Sequence, residues 1–539
     1  MVQSVLTGAV NGVDGYLVTA EIDMADGLPC MYMVGNLGHE VRESSERVRV
    51  ALKNIGYAIP PKRVTINLSP AGIKKGGTAF DLPIAIGILA SMGVVELPKA
   101  NEDPWIAIGE LGLDGQIRGV RGILPILIKA KEKGIKVCIL PADNRYEAEY
   151  IKGIRIVELE DLYQLFDVFE NWKSVAENDI FQPVSMMSAK TSTQTPETSA
   201  QTEKASTQDT KTSSEKTIDK SQTHITPDFA DIIGQHMAKR AAEIAAAGFH
   251  NLLLTGPPGT GKSMIAAALS GILPPMEEKE MLDTSKVYSV AGLLNEERPF
   301  ICKRPFQTPH HTITPQALVG GGIIPGPGII SLSNHGVLFL DELPEFRRQT
   351  LDMLRQPMEE GKIVITRKSG SYIYPCNFML VAAMNPCPCG YYPDMNRCTC
   401  SSKEVQRYVS GISGPLKNRI DLCVNVQRGS YDQIREKKKE ESSEQIRERI
   451  IAVRQIQRER NGVGIYNGRI EAKRMSVLCE MTKPAEKMME HYYETQHLSM
   501  RGYHRTLRVA RTIADLDGKE MIDDVHILEA VSYRGLLDK

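Results

Sequence analysis

Apolar positions along this chain follow two rhythms. Arg63 to Leu68 (RVTINL) and Val137 to Leu140 read as short strands, while Leu82–Met92 and Ile123–Lys133 carry apolar side chains at helical spacing. That mixture predicts an α/β or α+β domain over residues 1–170. Further along, Leu252–Leu254, Val337–Leu340 and Phe378–Ala383 are almost wholly apolar, with no polar face. Unbroken apolar strands suit a parallel sheet covered on both sides. Beyond about residue 430 the pattern turns helical. Ser442 and Gln445 fit a capping box, Ile446, Ile450, Val453 and Ile456 mark one face, and Asn461-Gly462 marks a stop. Arg505–Leu516 and Asp523–Tyr533 complete a small helical bundle.

Between these regions the apolar pattern fails. Gln182 to Thr226 is built of Ser, Thr, Gln, Lys and Glu, with only Val184, Ile218, Ile225 and two methionines to bury. Such a segment cannot offset its ordering entropy and is expected to be a disordered tether, spanning roughly 40 Å as a flexible coil. The expected organisation is residues 1–170, a linker over 171–226, a parallel-sheet core over 227–430 and a helical lid over 431–539.

Composition adds limits. A chain of 539 residues exceeds one core, so two or three domains are expected. Lys+Arg of 65 against Asp+Glu of 66 leaves no global charge to announce a nucleic-acid partner, so any basic surface must be local. No apolar run is long enough to span a bilayer and no secretory leader is evident, so no membrane partner and a cytoplasmic location are expected. Ten cysteines form no disulfide framework at this length.

Chemistry concentrates in two motifs. Gly256-Pro257-Pro258-Gly259-Thr260-Gly261-Lys262-Ser263 matches a phosphate-binding loop, after a strand and before the helical run Met264–Leu269. Its backbone N–H groups turn on ATP phosphates, Lys262 reaches the β- and γ-phosphates, and the Ser263 hydroxyl faces Mg2+. Val337–Leu340 then carries Asp341 to the sheet edge, where it completes the magnesium shell, and Glu342 is placed to deprotonate the attacking water. Asn385, ending the next apolar run, is suited to hold that water; the bland alternative is a turn-forming Asn before Pro386.

Several stretches carry a resemblance. Pro309-His310-His311-Thr312, Gly320–Gly322, His335–Phe346 (HGVLFLDELPEF), Met384–Gly390 and Gly414–Asp421 resemble the YifB/ComM family of magnesium-chelatase-like AAA+ proteins, over essentially the whole chain outside the tether. The resemblance implies a homo-oligomeric ring, as a rule a hexamer, with ATP sites between subunits. It makes Arg419 the arginine donated to a neighbour and Arg501 the second-sensor arginine, with Arg505 as fallback. It reads Pro274–Ser333 as a helix-2 insertion. Gly361–Gly370 alternates toward a Ser-Gly turn and predicts a β-hairpin. In related rings such hairpins line the pore, so Lys362, Arg367 and Lys368 are candidate contacts to DNA phosphates; the alternative is a solvated hairpin.

Cys387-x-Cys389 and Cys398-x-Cys400 offer four thiolates for a structural Zn2+. Their single-residue spacing is tighter than zinc knuckles use, so a reduced, metal-free cluster stays open. His310 and His311 diverge as neighbours and are expected to be structural or pore-facing.

The first domain resembles the proteolytic domain of Lon through Lys75–Ile84, Gly109–Gln116 and Gly134–Pro141. That resemblance places Ala79 at the nucleophile position and Leu124 near the lysine position, and neither side chain can do that chemistry. Thr78 or Lys129 would have to substitute from displaced positions. The expectation is a non-catalytic domain that assembles the ring or contacts DNA, with Lys74-Lys75 as a basic spot.

The leading expectation is thus an ATP-hydrolysing ring motor on DNA, a helicase of the branch-migration kind. A second reading is a chelatase-type remodeller of a partner protein, whose usual Asp-x-Ser-x-Ser metal-binding signature is not found in the sequence. A third is a Lon-like protease, which Ala79 and Leu124 oppose.

Overall fold

A computed structural model describes residues 2–98, 103–177, 227–322, 324–367, 370–428 and 440–534. The expected tether over Gln182–Thr226, the boundary near residue 430 and Lys368 lie outside the described residues. The expected start of the linker is corrected, because Trp172–Glu177 is helical and Val175 is buried in the N-terminal core.

The N-terminal part alternates strand and helix as its pattern predicts. Strands β1 (Gln3–Asn11), β2 (Asp14–Ala25), β3 (Cys30–Val34) and β4 (Arg63–Ser69) form a sheet in the order β1-β2-β4-β3, and only the β3–β4 pair is parallel. Helix α1 (His39–Asn54) and the almost fully buried α2 (Asp81–Ser91) pack against it. β5 (Trp105–Ala107) is followed by a two-stranded ribbon, β6 (Glu110–Leu111) with β7 (Ile117–Arg118). After α3 (Ile123–Glu132) come β8 (Val137–Pro141) and β9 (Arg155–Leu159), and β5-β8-β9 make a small parallel sheet.

The second part is built on five parallel strands. β10 (Leu252–Thr255), β11 (Phe306–Gln307), β14 (Val337–Leu340), β17 (Met379–Met384) and β18 (Leu422–Asn425) lie in the order β11-β14-β17-β10-β18. Every residue of β10, β14 and β17 is buried, which explains their unbroken apolar runs. Alternate side chains go to opposite faces. Leu252, Leu254, Val381 and Ala383 pack under α4 (His236–Gly248) and α5 (Lys262–Ile272), and Leu253, Leu380 and Ala382 face a second core. This parallel sheet fits an AAA+ core. Between β10 and β14 stand α6 (Glu278–Ala291), α7 (Pro315–Val319) and a two-stranded ribbon, β12 (Gly320–Gly321) with β13 (Gly326–Pro327). The expected hairpin pairs β15 (Lys362–Arg367) with β16 (Gly370–Pro375).

Four longer helices follow: α9 (Ser443–Asn461), α10 (Lys483–Thr495), α11 (Met500–Leu516) and α12 (Asp524–Ser532), after α8 (Ser402–Val409) in the loop region before β18. Ser442 caps α9 with Gln445 as its pattern predicts. One position departs from that pattern. Ile456 is 41% exposed, whereas Gln457 is 1% exposed and donates to the Ala247 carbonyl at 3.1 Å.

The two parts touch directly. Leu124 N, opening α3, lies 3.3 Å from Ser289 Oγ on α6, and Gly122 N donates to Ser289 O at 3.1 Å. Ser289 Oγ also donates to the buried Glu147 carboxylate, whose pKa burial raises and these bonds partly restrain. Ala79 and Leu124 are both buried in one apolar cluster. Thr78 donates to Glu110, and Lys129 pairs with Glu132 at 2.8 Å on the surface. The expected Lys74-Lys75 basic spot is corrected at Lys75, whose side chain is fully buried against the Pro70 carbonyl.

Candidate nucleotide site

The carboxyl edge of the parallel sheet gathers most of the residues that the sequence singled out. The loop from Gly256 to Gly261 joins β10 to α5, with Lys262 and Ser263 opening the helix. Gly256 passes so close to β18 that an added Cβ would lie 2.2 Å from the Val426 carbonyl oxygen, so no side chain fits there. Pro257, Pro258, Gly259 and Thr260 form the turn, and Thr260 Oγ1 donates back to Pro257 O at 2.9 Å.

Lys262 is 8% exposed and its ammonium donates to Gly256 O at 2.8 Å, Pro257 O at 2.9 Å and Asn385 Oδ1 at 3.1 Å. Burial lowers its pKa, and Asp341 opposes that shift. Asn385 therefore stands beside the loop lysine, one residue past β17, as its place at the end of an apolar strand suggested. Ser263 Oγ donates to Asp341 Oδ2 at 2.7 Å. A hydroxyl and a carboxylate at that separation are the hard oxygen donors that Mg2+ takes.

Glu342 holds a left-handed backbone conformation, φ 51. L-residues adopt it where surrounding structure imposes it, often at functional sites. Its Oε2 lies 3.6 Å from His311 Nδ1. His310 and His311, with ring centroids 4.0 Å apart and planes tilted by 35°, share a cavity of about 600 Å³ with Ser263, Asp341 and Glu342. Both histidines therefore stand at the sheet edge beside Glu342. The available signal was their place: they follow strand β11 directly, at the same sheet edge as Glu342.

The two arginines lie elsewhere. Arg419 donates to Arg355 O at 3.1 Å and Pro415 O at 2.6 Å, and it pairs with Glu359. Burial lowers its pKa; Glu359 opposes this, while Arg355 and Arg501 add to it. Arg419, Arg501, Arg469, Arg505 and Arg508 line one cavity of about 410 Å³ together with Asn251. Asn251 immediately precedes β10 and Arg419 precedes β18, so this cavity sits at the amino edge of the sheet. The phosphate loop sits at its carboxyl edge, about 13 Å away along a four-residue strand. Arg505, the fallback for the second-sensor position, thus lies in the same cavity as Arg501, while Arg469 and Arg508 carried no sequence motif of their own.

Cys387, Cys389, Cys398 and Cys400 converge, with all four sulfurs within 4.8 Å of one another. Three Sγ–Sγ separations are 3.3, 3.8 and 3.6 Å. A zinc tetrahedron with bonds of about 2.3 Å has edges of about 3.8 Å, so the quartet fits that ion despite its short spacing. Lys362 and Arg367 are exposed on the β15–β16 hairpin.

Three family models match the chain: magnesium chelatase subunit ChlI over residues 228–434, subunit ChlI of Mg-chelatase over 20–144, and the ChlI C-terminal region over 440–534. The competence protein ComM of Haemophilus influenzae is 39% identical over 538 residues, covering 99% of this chain and 97% of ComM. YifB of Escherichia coli K12 is 37% identical over 532 residues, covering 98% of this chain and 96% of YifB. A mitochondrial Lon protease homolog of Drosophila melanogaster is 27% identical over 180 residues, covering 31% of this chain and 18% of that protein.

Proposed function

This chain belongs to the magnesium-chelatase-like ATPase family that includes ComM and YifB, and from that premise we propose that it is a ring-forming, ATP-hydrolysing motor that acts on DNA. The observation that carries the reading is the division of one site between two edges of one sheet. Lys262, Ser263, Asp341 and Glu342 stand at the carboxyl edge, and Arg419 and Arg501 at the amino edge. A chain so arranged cannot bring its own arginines to its own phosphate loop. In a ring, each copy presents its arginine edge to the neighbour's nucleotide, so hydrolysis requires assembly.

Within a site, Lys262 exchanges its loop carbonyls for the β- and γ-phosphate oxygens, and Asn385 keeps it oriented. Ser263 and Asp341 would hold Mg2+, which would supply positive charge against the charge developing on the phosphates. Glu342 takes the proton of the attacking water, with His311 beside it. The neighbour's Arg419 stabilises charge on the transferring phosphoryl group. The four cysteines would hold a structural zinc.

DNA is proposed as the track because the β15–β16 hairpin presents exposed basic residues and because of the resemblance to ComM, which points to helicase action in branch migration during recombination or DNA uptake. The non-catalytic reading of the N-terminal part is supported by the burial of Ala79 and Leu124. The matches to chelatase subunits favour a second reading, ATP-dependent remodelling of a partner protein.

One assay separates these readings. ATPase activity is measured with forked DNA, three-strand junctions and unfolded protein, with Lys262→Ala and Glu342→Gln as inactive controls. Stimulation by junction DNA together with strand exchange supports the motor on DNA. Failure of junction DNA both to stimulate and to be resolved removes branch migration.

A further inference from the structure

We infer that the cysteine quartet, by holding zinc, braces the phosphate loop and couples metal occupancy to nucleotide affinity. The inference rests on the zinc reading of the quartet and on the nucleotide reading of Gly256–Ser263. It deepens them by naming how one site controls the other.

The coupling is carried by contact. The segment from Cys387 to Cys400 contains no helix or strand, so its shape depends on cross-links rather than on backbone ladders. It begins two residues beyond Asn385, which holds Lys262. Cys387 organises the first turn, because its carbonyl accepts from Gly390 N at 3.0 Å and its sulfur from Tyr392 N at 3.4 Å. Gly390, at φ 87, is where this loop meets the phosphate loop. A methyl group added there would lie 2.5 Å from Pro258 Cδ, with the ring's Cγ at 3.3 Å. Tyr391, Tyr392 and Pro393 then line, with Pro257, one cavity of about 670 Å³. The two loops thus meet at Pro258 and share a wall at Pro257.

A tetrahedral ion on four thiolates fixes where Gly390 lies, because Cys387 and Cys389 flank it on one side and Cys398 and Cys400 close the loop on the other. With the ion gone, only weak thiol hydrogen bonds hold the sulfurs together, and a loop without internal ladders relaxes. Pro258 then loses its backing, and Asn385 its fixed approach to Lys262. Nucleotide binding to such a loop must first order it, which reduces affinity by the cost of that ordering.

Linkage makes the proposal reciprocal: if zinc tightens nucleotide binding by some factor, nucleotide tightens zinc binding by the same factor. The test uses the full chain purified with added zinc. Zinc per chain is measured by atomic emission, and affinity for a fluorescent ADP is measured with zinc, after chelation, and after zinc or magnesium is restored. About one zinc per chain is expected. Chelation should weaken nucleotide binding by about 5- to 150-fold, the usual range for coupled sites, with recovery on zinc but not on magnesium alone. Saturating ADP should raise zinc affinity by the same factor. Gly390→Ala keeps all four sulfurs, so it should retain zinc while weakening nucleotide, whereas Cys398→Ser should lose zinc. Circular dichroism checks that both variants fold. A protein that binds nucleotide but never zinc overturns the zinc reading, and the coupling with it. A protein that binds zinc, yet holds ADP equally well with and without it, overturns the coupling alone. Absence of ADP binding in every arm overturns the nucleotide reading.

Discussion

Ser263 donates its hydroxyl to Asp341 across 2.7 Å, joining the first turn of one helix to the end of a strand 78 residues away. If both serve one magnesium ion, their substitutions cannot be independent. Ser263→Ala and Asp341→Asn should each raise the magnesium concentration needed for half-maximal hydrolysis. The double variant should fall short of the summed losses by about 0.5–3 kcal/mol of coupling, the range for residues sharing one partner. Magnesium titrations of all four proteins check this, and strict additivity would show that the two do not share an ion.

Lys262 and Glu342 should separate binding from turnover. Lys262 lies buried in the loop itself, so Lys262→Ala should abolish binding of a fluorescent nucleotide. Glu342 is half-exposed in the cavity beside His311, so Glu342→Gln should bind normally while phosphate release slows by about 10²–10⁴-fold. His311→Ala should lower turnover with little change in affinity, and a variant that loses affinity instead would place His311 among the binding residues.

How far this site was legible depends on what each contact needed. The phosphate loop and the Asp341 strand could be read because their signal is local: a fixed spacing of glycines and an apolar run ending in acid. The wholly buried strands β10, β14 and β17 declared the parallel sheet for the same reason. The error at Ile456 was one of angle. Ten residues beyond Ile446, it stands about 80° off the buried stripe, while Gln457 falls within about 20° of it and hides its amide against Ala247. The place of His311 past an expected sheet edge carried a signal, but its contact with Glu342 did not, because only the sheet order brings the ends of β11 and β14 together. The four cysteines were legible as candidate ligands, but their convergence stayed open, since Cys-x-Cys spacing argues against a site until the intervening loop is folded.

Arg419 and Arg501 share a cavity on the edge opposite the phosphate loop, so each should act on a neighbour. Arg419→Ala should reduce hydrolysis by about 10³–10⁵-fold while leaving nucleotide affinity within a few-fold. Mixing inactive Lys262→Ala with inactive Arg419→Ala should restore part of the activity, since some interfaces then pair an intact loop with an intact arginine. Two proteins that stay inactive when mixed would place the arginine and the loop in the same subunit.

His250 provides a pH dependence with a defined sign. It is fully buried with Nε2 2.7 Å from Thr512 Oγ1, linking the end of α4 to α11. Burial pulls its pKa from 6.5 down to about 4, while Asp421 opposes the shift. Between pH 6.5 and 4 the unfolded chain therefore binds a proton that the folded chain refuses, so stability falls as pH falls through that window. From pH 7 to pH 5 this contributes a loss of about 2 kcal/mol. Urea unfolding at the two pH values should show a smaller loss for His250→Asn than for the parent, and equal losses would remove His250 as the cause.

The hairpin sharpens the DNA prediction to one residue. Lys362 and Arg367 sit at opposite ends of β15 and, five residues apart, on opposite faces of the ribbon. The base of the ribbon is anchored: Ile363 and Tyr374 are buried, and the Tyr374 hydroxyl donates to Pro325 O at 2.6 Å. Lys362, paired with Pro375 at that base, is held near the body of the protein, whereas Arg367 lies exposed at the far end of β15 opposite Gly370. If the tip tracks the DNA backbone, Arg367→Ala should weaken binding uniformly across sequences. It should also lower the slope of log K against log salt by about one ion, and Lys362→Ala should change the slope less. Binding isotherms at several salt concentrations decide this. A slope that moves with Lys362 but not with Arg367 would place the track along the base of the hairpin, on the face that Lys362 shares with the exposed Val364 and Thr366.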